Sequence, residues 1–246
     1  MASMKILILN PNSSPTTTDV IDSAVEAYIG KFPIAAQIEL YTAPSGPPSI
    51  DSDQDALMSA KAIMADLQFK LSDYDAYVVA CYSVHPLVDM LRSRLCSKIH
   101  VIGIFEASLS TALSLLPMDR PFKYGIISTG HYWKDALSSG VQRYCGSDRF
   151  KGVETMGLTN AEFHTADIET KKSKLQEATR SLIRERDVRV ICLGCAALSG
   201  MNDIMNEVLV DELGEGANAM YIVDGVQAAI GLVESLIRES TWRSSN

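Results

Sequence analysis

The chain has no cluster of lysine and arginine and no apolar run of the roughly 18 residues a membrane helix needs. Its 22 basic residues are outnumbered by 30 acidic ones, for a formal net charge of -8. A nucleic-acid or anionic-membrane surface needs concentrated positive charge, so neither partner is expected. Five cysteines, an odd number spread over 246 residues, read as thiols and not as the disulfide framework of a secreted domain. The stretch Met1 to Lys5 runs into a strand without a charged leader, apolar core or cleavage site, and a cytoplasmic location is expected. The four histidines, His85, His100, His131 and His164, lack ligand spacing, so no metal is expected. Gly214, Gly216 and Ala219 imitate a dinucleotide fingerprint, but they precede a strand instead of following one, and no cofactor is expected. No phosphate loop and no nucleophilic-serine motif is present.

What the chain does have is a pair of cysteines in matching places. Cut near Pro121, it reads as an internal duplication. The first half opens on the strand Lys5-Ile6-Leu7-Ile8-Leu9, and its third strand, Ala76-Tyr77-Val78-Val79-Ala80, delivers Cys81. The second half opens on Lys123-Tyr124-Gly125-Ile126-Ile127, and its third strand, Val188 to Leu193, leads through Gly194 to Cys195 at nearly the same spacing.

Strand and helix signals alternate throughout, the pattern of parallel sheets covered by helices. With 47% hydrophobic and 21% charged residues the chain can build a sizeable core. The expected fold is α/β, with two pseudo-symmetric lobes, each a four-stranded mainly parallel sheet with flanking helices. The site is expected in the cleft between them, outside the C-terminal ends of the strands. Lobe 1 is expected to take residues 1–117 plus the last helix, 225–246, and lobe 2 residues 118–224. A first helix over Thr17 to Lys31 carries the apolar stripe Val20, Ile21, Ala24, Val25, Tyr28 and Ile29. The Pro/Gly/Ser loop from Ala43 to Ser49 is a candidate lid, and Asp51 or Ser52 caps the helix after it. Further strands are expected near Gln37 to Tyr41, His100 to Ile104, Phe150 to Thr155 and Ala219 to Val223, with a helix from about Pro86.

A helix is expected within a few residues of each cysteine, which would set each sulfur near unpaired backbone N–H groups and lower a thiol pKa from about 8.5 toward neutrality. Two such sulfurs facing one substrate carbon would take its proton on one face and return one on the other, which is racemisation without a cofactor. The enolate oxygen formed on the way needs hydrogen-bond donors. Candidates at strand ends are Asn10 and Asn12, Tyr82 and Ser83 beside Cys81, Ser128 and Thr129, and Gly194 and Ala196 around Cys195. Glu106 and Asp224 occupy corresponding places in the two halves and read as helix caps or ion-pair members. His85 and His131 follow cleft-facing strand ends within reach of a substrate, with a solvated loop residue as the favoured reading of each. Cys96 and Cys145 read as ordinary helix residues.

Taken together, the segments Leu9-Asn10-Pro11-Asn12-Ser13-Ser14, Ala80-Cys81-Tyr82-Ser83, Leu193-Gly194-Cys195-Ala196 and Val223-Asp224-Gly225-Val226 resemble the Asp/Glu/hydantoin racemase superfamily. The match in order and spacing runs over nearly the whole chain and is closest to the hydantoin/allantoin racemase branch, fungal members included. The resemblance implies cofactor-independent two-cysteine chemistry on a small-molecule substrate, a homo-oligomer and a two-lobed fold. Free aspartate and glutamate racemases of the superfamily usually follow their cysteines with Asn-Thr or Thr, whereas this chain has Tyr82-Ser83 and Ala196-Ala197, which favours a cyclic ureide. Ala197 and Leu198 stand where the branch commonly has Gly and Met, and Val84-His85 replaces a more acidic context.

The reading that follows is a racemase of a 5-substituted hydantoin or allantoin, with Cys81 and Cys195 as the acid/base pair. Alternatives are an aspartate/glutamate-type amino-acid racemase, a superfamily decarboxylase or isomerase, and a ureide-binding protein without turnover. A redox pair of Cys192 and Cys195 is a further alternative, disfavoured because Cys192 lies within a strand and no proline separates the sulfurs.

Overall fold

A computed structural model describes residues 4–146 and 148–243, the side chains of residues 160 and 241–243 excepted. The described chain forms two compact units. One runs to Ala107 and resumes at Val226, and the other spans Ser108–Gly225.

In the first unit, β1 (Met4–Asn10), β2 (Ala36–Thr42), β3 (Ala76–Val79) and β4 (His100–Gly103) form a parallel sheet in the order β2-β1-β3-β4. Leu9 pairs with Val79 and Val79 with Gly103, so these strands end level with one another. Ile6, Leu7, Ile8 and Leu9 are all buried, as they must be in a strand with both faces covered. The helices are α1 (Pro15–Lys31), α2 (Asp53–Leu67) and α3 (Pro86–Arg94).

Helix α1 starts earlier than its apolar stripe suggests, because Pro15 occupies the first turn, where its missing N–H costs nothing. Its buried face is Thr17, Ile21, Ala24 and Val25, narrower than the expected stripe, and Ile29 is exposed. The Ser52 hydroxyl caps α2 by accepting the Asp55 N–H at 3.1 Å. Leu9, Ile63, Tyr77, Val79, Leu87 and Leu91 form the heart of this unit's core.

The second unit repeats the plan. Its strands β5 (Lys123–Ser128), β6 (Phe150–Thr155), β7 (Val188–Leu193) and β8 (Tyr221–Asp224) are parallel in the order β6-β5-β7-β8. Around them lie α5 (Tyr132–Cys145), α6 (Asn160–Thr165), α7 (Ile168–Ile183) and α8 (Asn202–Leu213). Leu175, Leu182, Ile191, Leu193, Met205 and Leu209 pack its core.

Helices α4 (Ile104–Leu115) and α9 (Gly225–Arg243) carry the chain from one unit to the other. The first boundary falls inside α4, ten residues before the expected 117. Local packing gives the reason. Phe105 lies edge-on to Tyr82 of the first unit, with ring centroids 5.4 Å apart, while the Ser108 carbonyl is 3.9 Å from Cys192 Sγ of the second. Most of α9 belongs to the first unit, where the Ser240 hydroxyl meets His100 Nε2 at 2.8 Å. Among the described residues no helix is long and apolar enough to cross a membrane.

Candidate functional site

Each unit places a cysteine two residues past the end of an inner strand, Cys81 after Val79 of β3 and Cys195 after Leu193 of β7. The equivalence extends to the backbone. The residue before each cysteine donates its N–H to the neighbouring strand: Ala80 to the Leu9 carbonyl at 2.8 Å and Gly194 to the Ile127 carbonyl at 2.7 Å. Asn10 and Ser128 are the next residues on those neighbouring strands. The two sulfurs are half-buried.

In the first unit, Cys81 Sγ lies 3.4 Å from the Ser83 hydroxyl, and the Ser83 N–H closes a tight turn onto the Cys81 carbonyl at 2.9 Å. Tyr82 is buried, its ring at 87° to that of Phe105. Asn10 is 1% exposed and its amide turns into its own loop. Asn10 Nδ2 lies 3.0 Å from each of Asn12 Oδ1, the Ser14 carbonyl and Thr18 Oγ1, while its Oδ1 accepts the Asn12 N–H. Thr18 in turn meets Thr42 at the end of β2. This amide therefore organises the loop after β1 with the donors it has.

The expected lid is tied to the same loop. The Ser13 N–H reaches the Pro47 carbonyl, the Ser13 hydroxyl reaches the Gly46 carbonyl, both at 3.0 Å, and the Ala43 N–H reaches the Asn10 carbonyl at 3.1 Å.

In the second unit, Gly194 is required by close approach. A Cβ there would lie 2.5 Å from Ile126 Cγ2 and 2.8 Å from the Ile127 carbonyl oxygen. Ser128 is fully buried and its hydroxyl donates to the Gly194 carbonyl at 2.8 Å, which ties the end of β5 to the residue before Cys195. Thr129, next along the chain, is also buried. Cys195 itself is extended and followed by a single 3-10 turn, Ala196–Leu198, in which Ala196 is buried. A full α-helix begins only at Asn202, so the helix terminus expected close to Cys195 is one short turn; after Cys81 the helix starts at Pro86.

Other residues fall in unexpected places. His85, read as a solvated loop residue, is buried and caps α3: its Nδ1 accepts the Leu87 N–H at 3.2 Å and its Nε2 meets the Ser59 hydroxyl of α2 at 3.1 Å. Burial pulls its pKa down to about 4, so the ring is neutral at physiological pH. Pro86 marked this position as a helix entry; what the sequence did not show was that the side chain turns inward. His131 is exposed and its Nδ1 meets Thr155 Oγ1 at 3.1 Å.

Glu106 sits in the first turn of α4, where burial pushes its pKa up. Asp224 is buried at the end of β8, directly before α9. Cys145 closes α5 as expected, whereas Cys96 lies beyond the end of α3.

Known proteins resemble the chain in sequence and in fold. The chain is 30% identical over 246 residues to an uncharacterized protein of Schizosaccharomyces pombe, covering 98% of this chain and 95% of that one. It is 25% identical over 237 residues to a hydantoin racemase of Paenarthrobacter aurescens, covering 95% and 91%. Its fold is similar to that of an allantoin racemase from Pseudomonas fluorescens, with a TM-score of 0.80 at 24% identity over 96% of this chain and 91% of the other. The sequence pattern of the Asp/Glu/hydantoin racemases matches residues 6–233, and the chain belongs to that family.

Proposed function

We propose that this racemase acts on a five-membered cyclic ureide, a 5-substituted hydantoin or allantoin, with Cys81 and Cys195 as its proton-transfer pair. The observation that carries the reading is the equivalence of the two cysteines. Each stands two residues beyond an inner strand, held by the same backbone hydrogen bond from the preceding residue. A single proton donor or a structural thiol would need no such duplication.

The chemistry balances without a co-reactant. One sulfur, as thiolate, takes the proton from C5; the C–H electron pair moves into the adjacent carbonyl, and the other thiol delivers its proton to the opposite face of C5. One S–H forms as the other breaks, and the pair is left poised for the reverse direction. This requires one sulfur on each face of the carbon and donors for the developing oxyanion.

Ser83, 3.4 Å from the Cys81 sulfur, serves as such a donor or stabilises the thiolate. Thr129 and the backbone around Tyr82, Gly194 and Ala196 complete the substrate contacts. Ser128 shapes the loop that presents Gly194, and Asn10 shapes the loop after β1, since their donors are committed to Gly194 and to Asn12, Ser14 and Thr18. A ureide suits two thiols because its ring C–H is far more acidic than that of an amino-acid zwitterion. The 25% identical hydantoin racemase supports the same class.

The test is the decay of optical rotation of (S)-allantoin, a 5-substituted L-hydantoin, L-aspartate and L-glutamate incubated separately with the enzyme. Decay of a ureide is expected and its rate ranks the substrates. Decay of the amino acids alone would overturn the ureide assignment.

A further inference from the structure

We infer that His85 is the positioning residue for Cys81: its buried imidazole fixes the far end of the loop that carries the sulfur, and does so without charge. The inference rests on the reading of Cys81 as a proton-transfer group.

Residues 81–84 are strung between two anchors. The near one is the Ala80 N–H to the Leu9 carbonyl, at the end of β3. The far one is His85, 2% exposed and in extended conformation as the residue that caps α3. A backbone N–H can only donate, so Nδ1, which receives the Leu87 N–H, is the bare nitrogen and Nε2 carries the proton. That proton goes to the Ser59 hydroxyl, whose own proton goes to the Ala56 carbonyl at 3.0 Å. The His85 carbonyl also accepts the Val88 N–H at 3.1 Å. One side chain thus pins the loop to α2 and α3 together, with every polar atom of the ring and of Ser59 Oγ in use.

Serine, asparagine or aspartate is the usual cap at such a position. Each could accept the Leu87 N–H, but none is long enough to reach Ser59 as well. Aspartate would also place a negative charge four residues from a sulfur that must ionise. The neutral ring supplies the acceptor and the reach and leaves the thiolate unopposed. In the second unit Gly194 and Ser128 hold the residue before Cys195 by close packing and a backbone contact.

The experiment measures alkylation of Cys81 by iodoacetamide in the full chain, peptide by peptide by mass spectrometry, with Cys195 of the same molecule as internal reference. In H85A the released loop should raise the Cys81 to Cys195 rate ratio about threefold or more, since thiol reactivity follows exposure and environment. Racemisation should lose about tenfold in kcat with KM little changed, the mark of a misplaced reacting group. H85N restores the cap alone and should recover part of both effects. S59A removes only the second anchor and should shift the ratio in the same direction by less, which keeps the test decisive if H85A fails to fold.

An unchanged ratio in folded H85A, or H85N indistinguishable from H85A, would overturn the inference. A ratio that responds as expected in a protein that racemises no substrate would leave the positioning role standing and remove the functional reading instead.

Discussion

The two units reach the same end by different means. In the first, the far end of the cysteine loop hangs from a side chain, the His85 ring, which joins α2 to the start of α3, while the Asn10 amide gathers the separate loop after β1. In the second, the loop is held by what is missing. Gly194 has no side chain because Ile126 and the Ile127 carbonyl already fill the space, and Ser128 reaches the Gly194 carbonyl directly. A duplicated fold preserves the strand geometry and the placement of the sulfur, and leaves each copy to find its own anchor. The first anchor contains a titratable group and the second contains none, so the two should fail under different conditions.

Acid should separate them most strongly. His85 has its folded-state pKa depressed to about 4 from 6.5 by burial. The stability it contributes is fully present above 6.5 and is lost as pH falls from 6.5 through 4, because the unfolded chain binds the proton first. The size is on the order of 3 kcal/mol. Denaturant melts of wild type and H85N at pH 7 and pH 4.5 should therefore show the wild type losing stability relative to the variant. Amide exchange at the lower pH should open α2 and α3 before α7 and α8. Equal loss in both proteins would remove His85 from the account.

Packing should break the second anchor. G194A must push Ile126 or the backbone of β5, at a cost of about 2 kcal/mol, and should lower the midpoint of a urea melt at any pH between 5 and 8. A smaller effect sharpens the contrast: S128A leaves the Gly194 carbonyl without its buried donor, for about 1 kcal/mol. Its pH profile of stability should run parallel to that of wild type, and an acid-dependent difference would contradict the assignment of titration to the first unit.

Much of this was legible in the sequence. Lys5 to Leu9, Lys123 to Ile127 and Val188 to Leu193 announce buried parallel strands because they are apolar on both faces, and their order reveals the repeat. The cysteines stood out for the same reason. The unit boundary was not legible, since Pro117 marks the end of α4 while packing divides that helix near Ala107.

The roles of Asn10, Ser128 and His85 were equally hidden. A polar residue at a strand end reads alike whether its donors point to a substrate or into its own loop, and only the surrounding carbonyls decide. For His85 the clue was Pro86, which fixed a helix entry; the partner, Ser59, lies on another helix that no local pattern connects to it.

The central claim is that the two equivalent cysteines divide the proton transfer between them. The most direct measurement is deuterium uptake at C5 of each allantoin enantiomer in D2O, followed by NMR, in the C81A and C195A variants. Each variant should lose racemisation by about a thousandfold or more. Each should also retain exchange on one enantiomer only, a different one for each variant. Full racemisation by either variant, or retained exchange on the same enantiomer in both, would contradict the account.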